Sequence, residues 1–226
     1  MSAERWLLAI DTATSRVIVA AGRPDGTVIA ERAFAAEHRH GERLLATVDE
    51  LATATGLALD GVAGVVVGTG PGAFTGLRVG LATAKTLAHE LHVPIAGVST
   101  AEALLAAPGG ARSVWLPAGP NDRVLVAADE APRLVTGPVT VTTGTGATDG
   151  ASIAVDLDGR ASAAESAAGR RALDGLATAL LRLGQARLAA GGDDPERLVP
   201  EYVTLPRGIE GQLDLEAGVA WSRSRP

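Results

Sequence analysis

The segment Gly68-Thr69-Gly70-Pro71-Gly72-Ala73-Phe74-Thr75-Gly76-Leu77-Arg78-Val79-Gly80 joins two stretches of opposite character. Before it, Val62-Ala63-Gly64-Val65-Val66-Val67 is short, β-branched and unbroken in its apolarity, the pattern of a strand buried on both faces. After it, Leu81-Ala82-Thr83-Ala84-Lys85-Thr86-Leu87-Ala88-His89-Glu90-Leu91 has helical composition and no breaker. The pattern predicts a strand, a glycine turn and a helix. Gly68, Gly70 and Gly72 are expected to let the backbone reach positive φ, with Pro71 fixing φ between them. Thr75 is the expected N-cap, its hydroxyl accepting a hydrogen bond from a first-turn amide. Such a turn is either an anion site at a helix start or a tight, closely packed βα connection. It is not a phosphate loop of the Gly-Lys-Ser/Thr kind. Nor is it a dinucleotide fingerprint, because Ile95-Ala96-Gly97-Val98 ends without an acidic residue.

The helix carries a second message. Gly76, Gly80 and Ala84 fall four apart, in one small-residue row. Each interior glycine costs about 1 kcal/mol relative to alanine, so a close backbone approach is expected to offset it. Leu77, Leu81, Ala84, Ala88 and Leu91 form one apolar face, while Val79, Thr83 and Leu87 lie away from it. A helix apolar on two sides is covered on two sides, one by its own sheet and one by a second helix of this chain or a partner.

Composition narrows the classes. A chain of 226 residues with 46% apolar content can bury a bilobed core. Cysteine is absent, which excludes a disulfide framework, a thiol nucleophile and a Cys-type zinc site. No secretory signal or membrane-length apolar run is read, so a cytoplasmic, membrane-free protein is expected. The net charge is −6, aromatic residues make up 3%, and Lys85 is the single lysine. That is not the basic, aromatic surface of a nucleic-acid reader.

Upstream, Trp6–Ile10, Arg16–Ala21 and Thr27–Glu31 read as three strands in an antiparallel meander, with Pro24-Asp25-Gly26 as a turn. A helix from about Gly41 to Thr55 has Leu44, Leu45, Val48, Leu51 and Ala52 as its apolar stripe and Gly56 as a C-cap. Ile95–Val98 is a strand, and Ser99 or Thr100 caps a short helix through Ala107. Asp11 closes the first strand and is followed by Thr12, Thr14 and Ser15. Actin-like ATPases and sugar kinases begin this way, with the turn holding phosphate and the Asp organising Mg²⁺. Here Ala13 and Thr14 stand where such a turn wants glycine. The histidines, His38 with His40 and His89 with His92, are pairs without a third ligand and read as surface residues.

In the second half, Ser113–Pro117 and Arg123–Ala127 read as a hairpin around Asn121-Asp122. Val139–Thr142 and Ser152–Leu157 read as strands, and Gly144-Thr145-Gly146 as a turn. One long helix is expected from about Ala164 to Ala190, with Leu173, Leu176, Leu180 and Leu183 on one face. Asp194-Pro195 opens a helical turn, and residues 207–226 form a polar tail.

Ile10-Asp11-Thr12-Ala13-Thr14, His40-Gly41-Glu42-Arg43-Leu44-Leu45, Gly70 to Gly80 and Gly97-Val98-Ser99-Thr100 occur in this order. Together they resemble the TsaB (YeaZ) family of bacterial tRNA-modification subunits, over about the first hundred residues. Pro200-Glu201-Tyr202-Val203 is a lesser mark, and Val203-Thr204 departs from the family's usual Leu-Arg. The resemblance implies an α/β, actin-like (ASKHA) two-lobed fold, a degenerate paralogue of the TsaD type. Residues 1–107 would be the N-terminal lobe, 108–206 a smaller C-terminal lobe and 207–226 the tail.

It further implies a non-catalytic scaffold for making threonylcarbamoyladenosine beside the tRNA anticodon, touching tRNA only indirectly. The partners would be TsaD, bound through helices 41–55 and 75–91, and TsaE; alone, the chain would form a homodimer. The implied interface is His40, Leu44, Val48, Leu51, Gly76, Val79, Gly80, Thr83 and Leu87, and a bulky residue at Gly80 is expected to abolish pairing. The chain would have no cofactor of its own, with ATP and metal on the partner subunits. Where the catalytic paralogue carries a His-x-x-x-His metal motif, this sequence has Ser99-Thr100-Ala101-Glu102-Ala103-Leu104. The alternative is an actin-like ATPase or kinase acting through Asp11 and the 68–76 glycine turn, with Asp11, Thr12, Gly70 and Gly72 as candidate cofactor-binding residues.

Overall fold

A computed structural model of the chain describes residues 4–36, 40–109, 111–118, 121–128, 130–136 and 151–203. The first sheet is built from β1 (Trp6–Asp11), β2 (Arg16–Gly22), β3 (Val28–Ala35), β4 (Val62–Gly68) and β5 (Ile95–Val98), in the order β3-β2-β1-β4-β5. β1, β2 and β3 form the expected antiparallel meander, and β4 and β5 add in parallel to β1. Helices α1 (His40–Thr55) and α2 (Phe74–Glu90) make the crossovers.

Alternation along the central strands feeds two cores. Trp6, Leu8, Ile10, Val65 and Val67 point into one, where Leu44, Val48 and Leu51 of α1 meet Leu81, Ala84 and Ala88 of α2. Leu7, Ala9 and Val66 point into the other. That second core is closed by α3 (Thr100–Ala106), α4 (Ala163–Asp174) and α5 (Leu176–Ala189). Burial on both faces is why β4 reads as continuous apolar sequence rather than as alternation.

The second sheet, in the order β8-β7-β6-β9, contains β6 (Ser113–Pro117), β7 (Arg123–Ala127), β8 (Arg133–Val135) and β9 (Ser152–Ala154). The 113–127 hairpin is as expected, and the strand expected at 152–157 is shorter. β8 is too short and too exposed to show a period in the sequence. The expected strand 139–142, the Gly144-Thr145-Gly146 turn, His38 and the 207–226 tail lie outside the described residues.

Three expectations need correction. The long helix 164–190 is two helices broken at Gly175, where a side chain would press on Pro108. Helix α2 begins at Phe74 with Ala73 as its N-cap and no side-chain cap, because the Ala73 amide docks on the Ala13 carbonyl (2.8 Å); Thr75 is exposed. Finally, the division at residue 107 separates the two sheets but not two cores. Leu176, Leu180 and Leu181 of α5 share one core with β1, β2 and β4, and Gly184 lies so close to Val66 that no side chain fits between. The chain then returns to β5, where Asp193 donates its amide to the Ile95 carbonyl (2.7 Å) and Leu198 packs on Gly97. Among the described residues no helix is long and apolar enough to cross a membrane.

Candidate functional site at the strand ends

The carboxyl ends of β1, β4 and β5 converge, the place where open α/β sheets put their ligands. Four segments meet there: the Asp11–Ser15 turn, the glycine turn, the start of α3 and the segment 193–203.

Asp11 is fully buried. Its Oδ1 accepts from the Ala13 amide (3.0 Å) and its Oδ2 from the Thr100 hydroxyl (2.7 Å). The Thr100 hydroxyl in turn accepts from the Gly70 amide (3.1 Å). Burial pushes the Asp11 carboxyl up to about 6, against the lowering effect of these hydrogen bonds; the Asp156 charge adds to the rise. Gly68 has no side chain for a direct reason, since a Cβ there would overlap Asp11 Oδ2.

The glycine turn closes backbone against backbone. Thr12 Oγ1 donates to the Gly76 carbonyl (2.7 Å). A Cβ at Gly72 would overlap the Ala13 carbonyl, and one at Gly76 the Thr12 carbonyl. Only Gly70 of the first three glycines has positive φ, at 105°; Gly68 and Gly72 are required for close approach, not for a left-handed backbone. The Gly70 carbonyl accepts from the Thr100 amide (2.7 Å), the Ala101 amide (3.3 Å) and the Ser99 hydroxyl (3.0 Å). Ser99 is the N-cap of α3, as one of the two expected alternatives had it.

Glu201, from the far end of the chain, completes the cluster. Its amide donates to the Thr69 carbonyl (2.8 Å), and its carboxylate accepts from the Thr69 hydroxyl (2.7 Å) and the Ser99 hydroxyl (3.0 Å). Desolvation raises its pKa above the ordinary value, opposed by those two hydroxyls. Beside it, Tyr202 packs on Phe74 with ring centroids 5.0 Å apart, and its hydroxyl accepts from Arg78 Nε (2.8 Å).

An open cleft of about 740 Å³ lies next to this cluster, lined by Ala13, Thr14, Ser15, Phe74, Thr75, Pro117 and Asp156, among others. Asp156 bridges to the first lobe. Its Oδ2 accepts from the Ser15 amide (2.6 Å) and its Oδ1 from the Ser15 hydroxyl, and it does so at a φ of 55°. Sequence reasoning missed Asp156, which has no local pattern. It also missed Glu201 as a polar anchor, although the Pro-Glu-Tyr mark was visible.

The candidate cofactor-binding residues are thus brought together: Asp11, Thr12, Gly70 and Gly72 all belong to one cluster. Both Asp11 oxygens and the Gly70 and Ala73 amides bind the chain itself. Among the described residues no group of three His, Asp or Glu could hold a metal ion. His89 and His92 stack with ring centroids 6.5 Å apart, and both are exposed.

The expected interface residues divide. Leu44, Val48 and Leu51 are buried beneath α1 in the chain's own core, and Gly76 and Gly80 are buried against Thr12. These five are not available to a partner. The small-residue row is offset by the chain's own β1–β2 turn, and a bulky residue at Gly80 would strike Thr12 rather than a second protein. Val79, Thr83 and Leu87 remain half-exposed, and the side chain of His40 lies outside the described residues. Leu45 on α1 is a large apolar residue left bare, at 52% exposure.

Known proteins resemble this chain. Residues 28–134 match the family model for TsaD, tRNA N6-adenosine threonylcarbamoyltransferase. The tRNA threonylcarbamoyladenosine biosynthesis protein TsaB of Bacillus subtilis is 40% identical over 100 residues, covering 44% of this chain and 43% of that protein. TsaB of Escherichia coli is 37% identical over 123 residues, covering 54% and 49%. The matched part of the chain resembles the TsaB (YeaZ) proteins. Its aligned part spans somewhat under half the length of those two curated relatives. YeaZ from Pseudomonas aeruginosa superposes with a TM-score of 0.64 at 24% identity, over 88% of this chain and 100% of that one. That family likeness makes the fold actin-like, of the ASKHA type.

Proposed function

We propose that this chain is a non-catalytic scaffold subunit in tRNA threonylcarbamoyladenosine biosynthesis. It pairs with a TsaD-type transferase subunit, is joined by TsaE, and carries no ATP or metal of its own. The observation that carries the reading is the self-satisfied cluster at the strand ends. Asp11, Gly70, Thr100 and Ser99 hold one another and Glu201, so both carboxylates of the cluster are engaged by the chain's own donors. The metal motif of the catalytic paralogue is replaced by Ser99 and Thr100, and both serve the glycine turn. The pairing surface is the outer side of α1 and α2, around Leu45, Ala82 and the half-exposed Val79, Thr83 and Leu87. The same bare surface lets the chain self-associate when alone.

The test is reconstitution. The purified chain is expected to be inert towards ATP, to form a complex with TsaD by light scattering, and to be required with TsaD and TsaE for modification of tRNA. Modification at full rate without the chain would refute the reading.

A second reading, an actin-like ATPase or kinase, is favoured by one observation. The open cleft beside Thr14, Ser15, Asp156 and the first turn of α2 has room for a nucleotide-sized ligand. ATP turnover by the chain alone, lost on Asp11→Ala, would establish it instead.

A further inference from the structure

The exposed side of α2 carries basic residues until its last position, Glu90. No Asp or Glu lies between Asp60 and Glu90, although the chain as a whole carries −6. At 100° per residue, Arg78, Lys85 and His89 fall within one narrow stripe of the helix, with Ala82 between them. Arg78, Ala82 and His89 are exposed and Lys85 is half-exposed.

Arg78 is also held in place. Its guanidinium lies over the Phe74 ring, 3.9 Å from the centroid, and 5.8 Å from the centroid of Tyr202. Its Nε donates to the Tyr202 hydroxyl. Tyr202 is itself fixed, because the neighbouring Glu201 is tied through backbone and side chain to Thr69 and Ser99. The terminal nitrogens of Arg78 pair with no carboxylate among the described residues. An exposed arginine ordinarily loses side-chain entropy when it forms a contact; one already stacked and hydrogen-bonded loses less. Order already in place is characteristic of an arginine anchor at a protein interface.

We infer that Arg78 is a preorganised anion-recognition arm that receives a carboxylate side chain of the partner protein. Lys85 extends the positive stripe along α2, with the His89 imidazole beside it. The segment 193–203 acts as the brace that aims the arm, so the far end of the chain takes part in partner choice. A protein carboxylate fits better than RNA. The stripe holds two cations and an imidazole on an otherwise acidic chain, and the two nearby rings are already packed on Arg78 and on each other. A nucleic-acid surface needs more charge and free stacking faces. The inference rests on the pairing reading above and adds its chemistry.

The experiment is a calorimetric titration of the full chain against the TsaD-family subunit of the same organism, at about 0.05 M and about 0.3 M salt. Arg78→Ala is expected to weaken binding roughly tenfold at the lower salt and to flatten the salt dependence. Tyr202→Phe keeps the ring but removes the acceptor for Nε, and is expected to weaken binding about threefold. Circular dichroism checks that both variants fold. Wild-type chain that fails to bind overturns the pairing reading and this inference together. Wild-type binding that Arg78→Ala leaves unchanged overturns this inference alone. Loss of tRNA retention in Arg78→Ala with subunit affinity intact also overturns it, in favour of a nucleic-acid contact.

Discussion

Asp11 is a carboxylate kept from water, and the consequence is a pH dependence of opposite sign to ordinary acid denaturation. Its folded value is about 6 against 3.8 for the free group. Between those values the folded chain binds more protons than the unfolded one, so this group's contribution to stability grows as pH falls. It is fully present below about 3.8 and lost as pH rises through about 6. Each tenfold difference in proton affinity between the folded and unfolded chain is worth about 1.4 kcal/mol, so the gain from pH 7 to about pH 4.5 is about 2 kcal/mol. Asp11→Asn removes the titration while keeping the shape. Urea denaturation of both proteins at the two pH values checks it: relative to Asp11→Asn, the wild type is expected to gain about 2 kcal/mol on acidification. Equal behaviour of the pair would mean that Asp11 is not desolvated as described. Glu201 titrates in the same direction but is present in both proteins, so the comparison cancels it.

At the scale of elements, the end of β1 and the start of α2 form one joint. Gly80 is placed where any Cβ would overlap Thr12 Oγ1, and the Thr12 hydroxyl holds the Gly76 carbonyl one turn earlier. Gly80→Ala should gain about 1 kcal/mol in helix propensity, yet we expect a net loss of about 2 kcal/mol because buried overlap dominates. Thr12→Ala alone should cost about 1 kcal/mol for the lost hydrogen bond. Combined, the two should cost less than their sum by at least about 1 kcal/mol, since removing the Thr12 hydroxyl makes room for the new methyl. Additive losses in thermal or urea unfolding would show that the joint is not where the strain sits.

This joint also marks what was legible. The β4–turn–α2 unit, the meander and the 113–127 hairpin were readable because apolar runs and turn residues are local signals. The small-residue row announced a close approach but not its partner, because sequence spacing gives a face and not what lies against it. The same limit put Leu44, Val48 and Leu51 on an interface when they belong to the core. At the strand ends, Asp11 was readable as a special carboxylate. Thr100, Asp156 and Glu201 were not, because their partners lie 89, 141 and 132 or 102 positions away. The close packing of Gly175 on Pro108, across the fold, was not legible for the same reason.

For the whole molecule, the question is whether the first hundred residues, where the family signal is concentrated, make a folding unit. One face of their sheet is covered by α1 and α2, but the other depends on chain that arrives much later. Leu7, Ala9, Ile18, Ala20 and Val66 are buried against Leu176, Leu180 and Leu181 of α5, and β5 is an edge strand until residues 193–198 return to it. A fragment ending at residue 107 would keep α3 but expose the part of that face covered by α4 and α5, together with an unpaired edge, the combination that leads to aggregation. We therefore expect residues 1–107 to be poorly soluble and to bind a hydrophobic dye. The same fragment joined by a flexible linker to residues 163–203 should fold cooperatively by circular dichroism, even without the second sheet. Within the full chain, Leu180→Ala should cost about 3 kcal/mol in urea unfolding, the usual scale for truncating a fully buried leucine. It should also lower amide-exchange protection in β1 and β4, not only in α5. Protection lost in α5 alone would mean that the two halves of the core open separately, and that the lobes divide at residue 107 in energy even though they do not in packing.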